Sequence, residues 1–414
     1  MSVPDKQTPL GALVMAGQDQ AEAEAITPSI FMVKDISNAY LVTTSEGDLM
    51  VNTGFIGNGE RTKSLFAPHR TGPLKRIILT QSHADHYGAL PNQLEPGTQV
   101  IAGAGFTETA DYFDKLAPFL ARRSGKLWAS MTRRSGPPPV PPKIVPDIDV
   151  PTTLAFEQGG RKFEVVKTPG GETLCSVFVW LPDERTIFTG NLFGPVWRAM
   201  PNLVTIRGDR PRLVRAYLAS LDAVRSLEPE LVITGHGDPI RGAAKIRADL
   251  DAMRAAVAHI ERETIAGMNT GKTVHELMRD IRLPEDGEIG EFHGKTSWVV
   301  RAIWEENAGW FHYADGTPAL FGSPRSSVDA DVVELAGVGP LIDRARALAA
   351  SGKALEAIHL VDIVLTSAPN DAAALTVRKA ALESLAADSP GTNLSETMWL
   401  KAEIADAASR LMTQ

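Results

Sequence analysis

From Ile30 onward the chain is written as short apolar runs cut by polar, glycine-bearing turns. Phe31-Met32-Val33, Ala39-Tyr40-Leu41-Val42 and Asp48-Leu49-Met50-Val51 are β-type runs, separated by Asp35-Ile36-Ser37-Asn38 and Ser45-Glu46-Gly47. Runs of this length bounded by turn residues are the units of a sheet. Asn52-Thr53-Gly54 closes the third run, and Glu60–Phe66 has helical spacing. Arg76–Thr80 and Gln99–Ala102 are further strands, while 105–131 reads as one helix with aromatic and aliphatic positions among Lys and Arg. Strands resume at Lys162–Val166, Cys175–Leu181 and Thr186–Thr189. An amphipathic helix covers 211–227, and Leu231–Thr234 is a buried strand ending in Gly235-His236-Gly237. Many short strands with helices between and after them predict an α/β protein, two sheets packed face to face with helices outside.

The pattern changes towards both ends. Residues 1–27, polar and rich in Ala and Glu, predict a helical arm. Residues 243–267 carry an Ala/Ile/Met stripe at helical spacing, Ser323–Val328 reads as a boundary, and 331–414 reads as Ala/Leu-rich helices. Two of these, 339–351 and 354–366, predict a hairpin of helical-repeat type. The domain reading is therefore 1–245, 246–330 and 331–414. The proline-rich stretch Gly136–Pro142 is neither regular helix nor central strand. It reads as a stiff surface loop, with a polyproline recognition segment as the alternative.

Bulk properties narrow the field. At 414 residues the chain exceeds one ordinary core, and about two or three domains are expected. A net charge of −8 weighs against nucleic acid or an anionic membrane as the partner. Cys175 is the single cysteine, which excludes an intrachain disulfide and a cysteine-based metal cluster. It reads as a buried inert thiol, with a nucleophile as the alternative. No apolar run approaches the ~20 residues of a membrane-spanning helix, and Leu10–Gly17 lacks the flanks of a signal peptide. A cytoplasmic location is expected.

Against this background, polar residues at strand ends stand out. His83, Asp85 and His86 follow Arg76–Thr80; Glu172 ends Thr168-Pro169-Gly170-Gly171-Glu172; Asn191 follows Gly190; and His236 sits between two glycines. Each follows a hydrophobic run beside glycine, which lets backbone turn sharply and side chains approach a small centre. Imidazole and carboxylate are ligands that zinc, iron and manganese accept. One histidine alone is more often structural than ligating, but three with an aspartate in such turns point to a bound metal.

Thr80-Gln81-Ser82-His83-Ala84-Asp85-His86-Tyr87-Gly88 resembles the T-H-x-H-x-D-H signature of the metallo-β-lactamase superfamily, with Gln81 where the first histidine stands. The order of turns is similar to that superfamily's motifs, from Asn52-Thr53-Gly54 to the late His236. Three segments resemble its alkylsulfatase branch. They are Thr168–Glu172, with a glutamate where most relatives have histidine; Pro201–Gly208, similar to Asn-Leu-x-Thr-x-Arg-Gly; and Phe292–Trp304 with Gly309-Trp310-Phe311, similar to the start of a helical dimerisation domain. The resemblance implies an αββα sandwich followed by an all-α dimerisation and helical-repeat-like region, a homodimer, and a site for one or two Zn²⁺ ions, with iron or manganese as alternatives. By the same resemblance Gln81, His83, Glu172 and Asn191 face one ion, and Asp85, His86, Asn191 and His236 the other. Gln81, Asn191 and Asn52 each replace a stronger or charged group, so the second set is expected to hold its ion well and the first poorly.

A cation held by three ligands acidifies bound water and polarises the bond under attack, and Asp85 suits the part of proton acceptor. The resemblance implies hydrolysis of a small sulfate ester, Arg207 and Asn202 contacting the sulfate. Arg198 and Tyr87 are further substrate-binding candidates, each with a structural alternative. The chain ends before the alkyl-chain-binding domain usual in that branch, which points away from long-chain detergents. Phe113, Leu116, Phe119 and Trp128 are expected as a lid or as ordinary core. Three other readings stay open: an ester, lactone or thioester hydrolase of the same superfamily; an iron-dependent redox protein; and a metal-poor binding protein without catalysis.

Overall fold

A computed structural model describes residues 8–132, 140–287 and 289–413. The first seven strands form one sheet in sequence order: β1 (Glu24–Thr27), β2 (Ile30–Val33), β3 (Ala39–Val42), β4 (Asp48–Val51), β5 (Leu74–Leu79), β6 (Gln99–Gly103) and β7 (Ile148–Val150). The second sheet contains β8 (Thr153–Gln158), β9 (Arg161–Lys167), β10 (Val177–Leu181), β11 (Thr186–Gly190), β12 (Leu231–Thr234) and β13 (Ile240–Arg241), in the order β13-β12-β11-β10-β9-β8. The pairs β4–β5, β5–β6, β6–β7 and β11–β12 are parallel. Parallel strands need crossovers, and the helices Gly59–Phe66 and Val214–Ser226 lie in two of them.

Strands such as β3 and β10 are buried at every position, as a sheet covered on both faces requires. Ile30, Met32, Val42, Leu49 and Ile78 meet Val165, Val177, Val179, Phe188 and Ile233 in one core between the sheets. A second core holds Leu41, Leu79, Leu90, Val100 and Phe106. A third joins Ile187 and Val232 to Leu221, Leu250, Val257 and Ile303 of the helices Val214–Ser226, Ala243–Asn269 and Thr296–Ala308. The result is an αββα sandwich. The side-chain hydroxyl of Tyr40 donates to Thr234 O at 2.6 Å and the Asn38 backbone N–H to Gly235 O at 2.8 Å, tying the two sheets together beside the late histidine.

The described chain divides into two compact units. The sandwich unit takes Pro9–Arg123 and runs on to Glu306; the other takes Ser124–Thr132 and the chain from Asn307. In the second unit the helices Val338–Ala350 and Ala354–Ser367 form the expected hairpin, turning at Gly352 with φ +76°. Ile342, Ala345, Val361 and Val364 pack with Ala374 and Ala381 of Ala372–Asp388. Asp371 and Asn393 cap the last two helices through the amides of Ala374 and Glu396.

Two expectations are corrected. The N-terminal arm is a short helix, Pro9–Met15, followed by strand β1. The helix over 105–131 is two, Phe106–Lys115 and Ala117–Thr132. Pro118 has no N–H to donate to the carbonyl four residues back and its ring crowds that carbonyl, so the first helix stops before it, while proline is tolerated in the first turn of the second. Most of the proline-rich stretch lies outside the described residues, as does the side chain of Trp128.

Candidate functional site

The turns that close β4, β5, β9, β11 and β12 supply the polar residues. After β4, Asn52 adopts a left-handed φ of 57°, and the next amide, that of Thr53, donates to His86 O at 2.8 Å. After β5 the chain passes Gln81 and His83 into a single helical turn, Ala84–Tyr87, which carries Asp85 and His86. Gly235, after β12, is required by space. A Cβ there would stand 2.1 Å from Asn191 Oδ1 and 2.8 Å from His86 Cε1.

Asp85, His86 and His236 offer ligand atoms that all lie within 4.8 Å of one another. His86 Nε2 is 3.7 Å from Asp85 Oδ2. It is also 2.8 Å from Ser37 Oγ, while its Nδ1 is 3.0 Å from Asn52 Nδ2. Burial pushes the His86 imidazole down to about 4, against the pull of Asp85, and burial lowers His236 too. Burial alone would raise the Asp85 carboxyl, but the three histidines around it hold it below its ordinary value. The result is two neutral imidazoles and one ionised carboxylate, a donor set that suits a divalent cation.

The second group is built differently. Glu172 Oε2 is 3.5 Å from His83 Nδ1, and Asp209 Oδ2 is 3.5 Å from His83 Nε2. The two carboxylates therefore meet opposite edges of one ring, and a single ion cannot replace both contacts. Glu172 Oε1 also faces Arg212 Nη1 at 3.6 Å and His293 Nε2 at 3.3 Å. Despite burial, Arg212, His293 and His83 hold the Glu172 carboxyl well below the usual carboxylate range. Burial would lower His83, but Asp209 and Glu172 outweigh it and leave that imidazole above its ordinary value. This group is already charge-compensated by side chains.

Asn191 links the two, its Nδ2 standing 3.0 Å from Glu172 Oε2 and 3.1 Å from His236 Nε2. Asn191 Oδ1 and Gln81 Oε1 are buried without a hydrogen-bond partner in the described structure, although Gln81 Nε2 reaches His83 Nδ1 at 3.0 Å. Buried acceptors of this kind are normally satisfied, and the orphaned Asn191 Oδ1, on the residue that also meets His236, fits a pocket completed by a bound group.

Arg207 and Asn202 border the second group. Arg207 Nη2 is 3.6 Å from Asp209 Oδ2, and Asn202 Nδ2 is 3.2 Å from His293 Nε2. Arg123 anchors this loop by donating to Arg207 O and Ile206 O at 2.9 and 2.7 Å. Phe113 stands edge-on to His83 with ring centres 5.3 Å apart. Two candidates are not brought here. Arg198 is half-exposed and pairs with Asp249, which also takes the Trp197 indole N–H. Tyr87 turns into the core against Phe106, and burial pushes its hydroxyl up to about 12. Sequence reasoning missed Arg212, Asp209, His293 and Ser37. Only His293 carried a signal, the glycine beside it in Phe292-His293-Gly294.

Residues 32–236 match the Metallo-beta-lactamase superfamily model and residues 273–403 the Alkyl sulfatase dimerisation model. A linear primary-alkylsulfatase of Pseudomonas sp. is 25% identical over 297 residues, covering 66% of this chain and 56% of the relative. An (R)-specific secondary-alkylsulfatase of Pseudomonas sp. is 24% identical over 398 residues, covering 87% and 59%. The chain thus spans little more than half the length of these relatives. The structure of the inverting sec-alkylsulfatase Pisa1 from Pseudomonas sp. superposes with a TM-score of 0.81 at 22% identity, covering 94% of this chain and 66% of that one.

Proposed function

We propose that this chain, a member of the alkylsulfatase branch of the metallo-beta-lactamase superfamily, hydrolyses sulfate esters with a divalent cation held by Asp85, His86 and His236. The observation that carries this reading is the convergence of those three donors, linked through Asn191 to the Glu172 and His83 group that the Arg207 and Asn202 loop borders. Zinc is the ion we assign, and iron or manganese would accept the same ligand types. When bound, the cation supplies Lewis acidity, acidifying water and offsetting the charge of the sulfate.

The chain's own residues supply the rest. Asp85, ionised and only partly covered, accepts a proton from water. Arg207 offers a fork of donors suited to a tetrahedral anion, and Asn202 adds an uncharged amide. Phe113 packs edge-on against the His83 ring. The test is a panel of alkyl sulfates, carboxylic esters and lactones, assayed with the stripped protein and with added Zn²⁺, Mn²⁺ or Fe²⁺. Release of inorganic sulfate supports the reading; turnover confined to esters or lactones overturns it.

The same reading includes a homodimer. Its support is the match of 273–403 to the dimerisation family together with the exposed apolar side chains of Trp310, Tyr313, Phe321 and Leu335. A solution mass of one chain by light scattering would contradict it. No helix among the described residues is long and apolar enough to cross a membrane.

A further inference from the structure

The hydrogen bonds around His86 have a fixed direction. The backbone N–H of Thr80, which can only donate, reaches Asn52 Oδ1 at 2.9 Å, and the Thr80 hydroxyl reaches the same oxygen at 3.0 Å. The Asn52 amide is thereby oriented, and its NH₂ is the group 3.0 Å from His86 Nδ1. An NH₂ has no lone pair to offer, so Nδ1 must accept. A neutral imidazole that accepts at Nδ1 carries its proton on Nε2. Nε2 faces Ser37 Oγ at 2.8 Å, and Ser37 Oγ in turn donates to Gly235 O at 3.3 Å. The chain of donors runs without conflict from one backbone N–H to one backbone carbonyl.

We propose that Asn52 is a positioning residue that holds His86 in the Nε2–H tautomer and so weakens cation binding at Asp85, His86 and His236. Nε2 is the nitrogen that faces Asp85, and it ligates only with its lone pair free. Ligating histidines elsewhere donate their second N–H to a carboxylate, carbonyl or water. Here the residue behind Nδ1 is itself a donor, so binding an ion sets N–H against N–H in a buried place. An acidic side chain at 52 removes the conflict: one oxygen still takes the Thr80 donors and the other accepts from Nδ1–H.

The inference rests on the cation site of the proposed function but needs no substrate to test. Zinc binding to the full chain, measured by equilibrium dialysis with elemental analysis, is expected to tighten by about 10- to 100-fold in Asn52→Asp. Equal or weaker binding in a folded variant would overturn it. Nitrogen-15 NMR of histidine-labelled wild-type protein reads the tautomer directly and does not depend on the variant folding. A proton on Nε2 of His86 is expected, and a proton on Nδ1 would overturn the proposal. Failure of sulfate release with these two results intact would sink the substrate reading alone.

Discussion

Arg212 Nη1 stands 3.6 Å from Glu172 Oε1, with the two side chains only 7% and 8% exposed. Arg212 also donates to Glu172 O at 3.2 Å and to Asn202 O, and its Nη2 faces Asp209 at 3.7 Å. One buried cation thus joins the β9 turn, the Asn202 loop and the second carboxylate. Removing one partner of such a pair strands the other charges in a poorly solvated place. We expect Arg212→Met to lower unfolding free energy by about 3–5 kcal/mol, read from urea denaturation. A loss within experimental error would mean that water reaches these carboxylates.

Arg207 has a narrower role. Its guanidinium meets Asp209 from a loop that Arg123 already anchors through backbone carbonyls, so the loop keeps its shape without the side chain. A charge-assisted hydrogen bond is worth about 1.5–3 kcal/mol, so Arg207→Ala should reduce kcat/KM for a sulfate ester by roughly 10- to 100-fold. Any neutral ester turned over by the same site should be affected by a few-fold at most. Equal losses on both would count against a sulfate contact.

Acid sensitivity of the helical unit should trace to Glu403, which takes Lys126 Nζ at 2.8 Å and Arg378 Nη2 at 2.9 Å. Burial alone would raise this carboxyl, but the two cations outweigh it and hold it below its ordinary value. A group with a depressed folded pKa stabilises fully above its unfolded value, near 4.3 for glutamate. That contribution fades as pH falls through the folded pKa. The wild type should therefore lose more of its Tm between pH 6 and pH 3 than Glu403→Gln does. Identical slopes would show that the ion pairs are screened by solvent.

How much of this could be read from the residues depended on how local the cause was. The strands around β3, β5 and β10 were legible because continuous apolar runs between turn residues have one outcome in a covered sheet. Asp85, His86 and His236 were legible because they sit in two strand-end turns closed by glycine, one ending at Gly88 and the other between Gly235 and Gly237. Arg212 and Asp209 were not. They lie on an irregular loop, and their meaning comes from Glu172 and His83, which arrive from other strands. For Tyr87 the residues left two places open, the pocket its neighbour His86 faces and the core, and the structure puts it in the core. One step along a helical turn rotates a side chain by about 100°, and that carries Tyr87 into the core. The exchange at Asn52 was visible as a lost charge; its effect on the direction of hydrogen bonding needed the Thr80 amide in place.

The central claim is sulfate-ester hydrolysis that depends on the Asp85, His86 and His236 pocket. The most direct measurement is release of inorganic sulfate from an alkyl sulfate by the purified chain, followed after chelation, after zinc repletion, and in His236→Ala repleted in the same way. We expect release with zinc, at least ~100-fold loss on chelation, as befits a Lewis acid worth several kcal/mol to the reaction, and no recovery in His236→Ala. Undiminished release after chelation, full activity in His236→Ala, or no sulfate release under any metal would contradict the account.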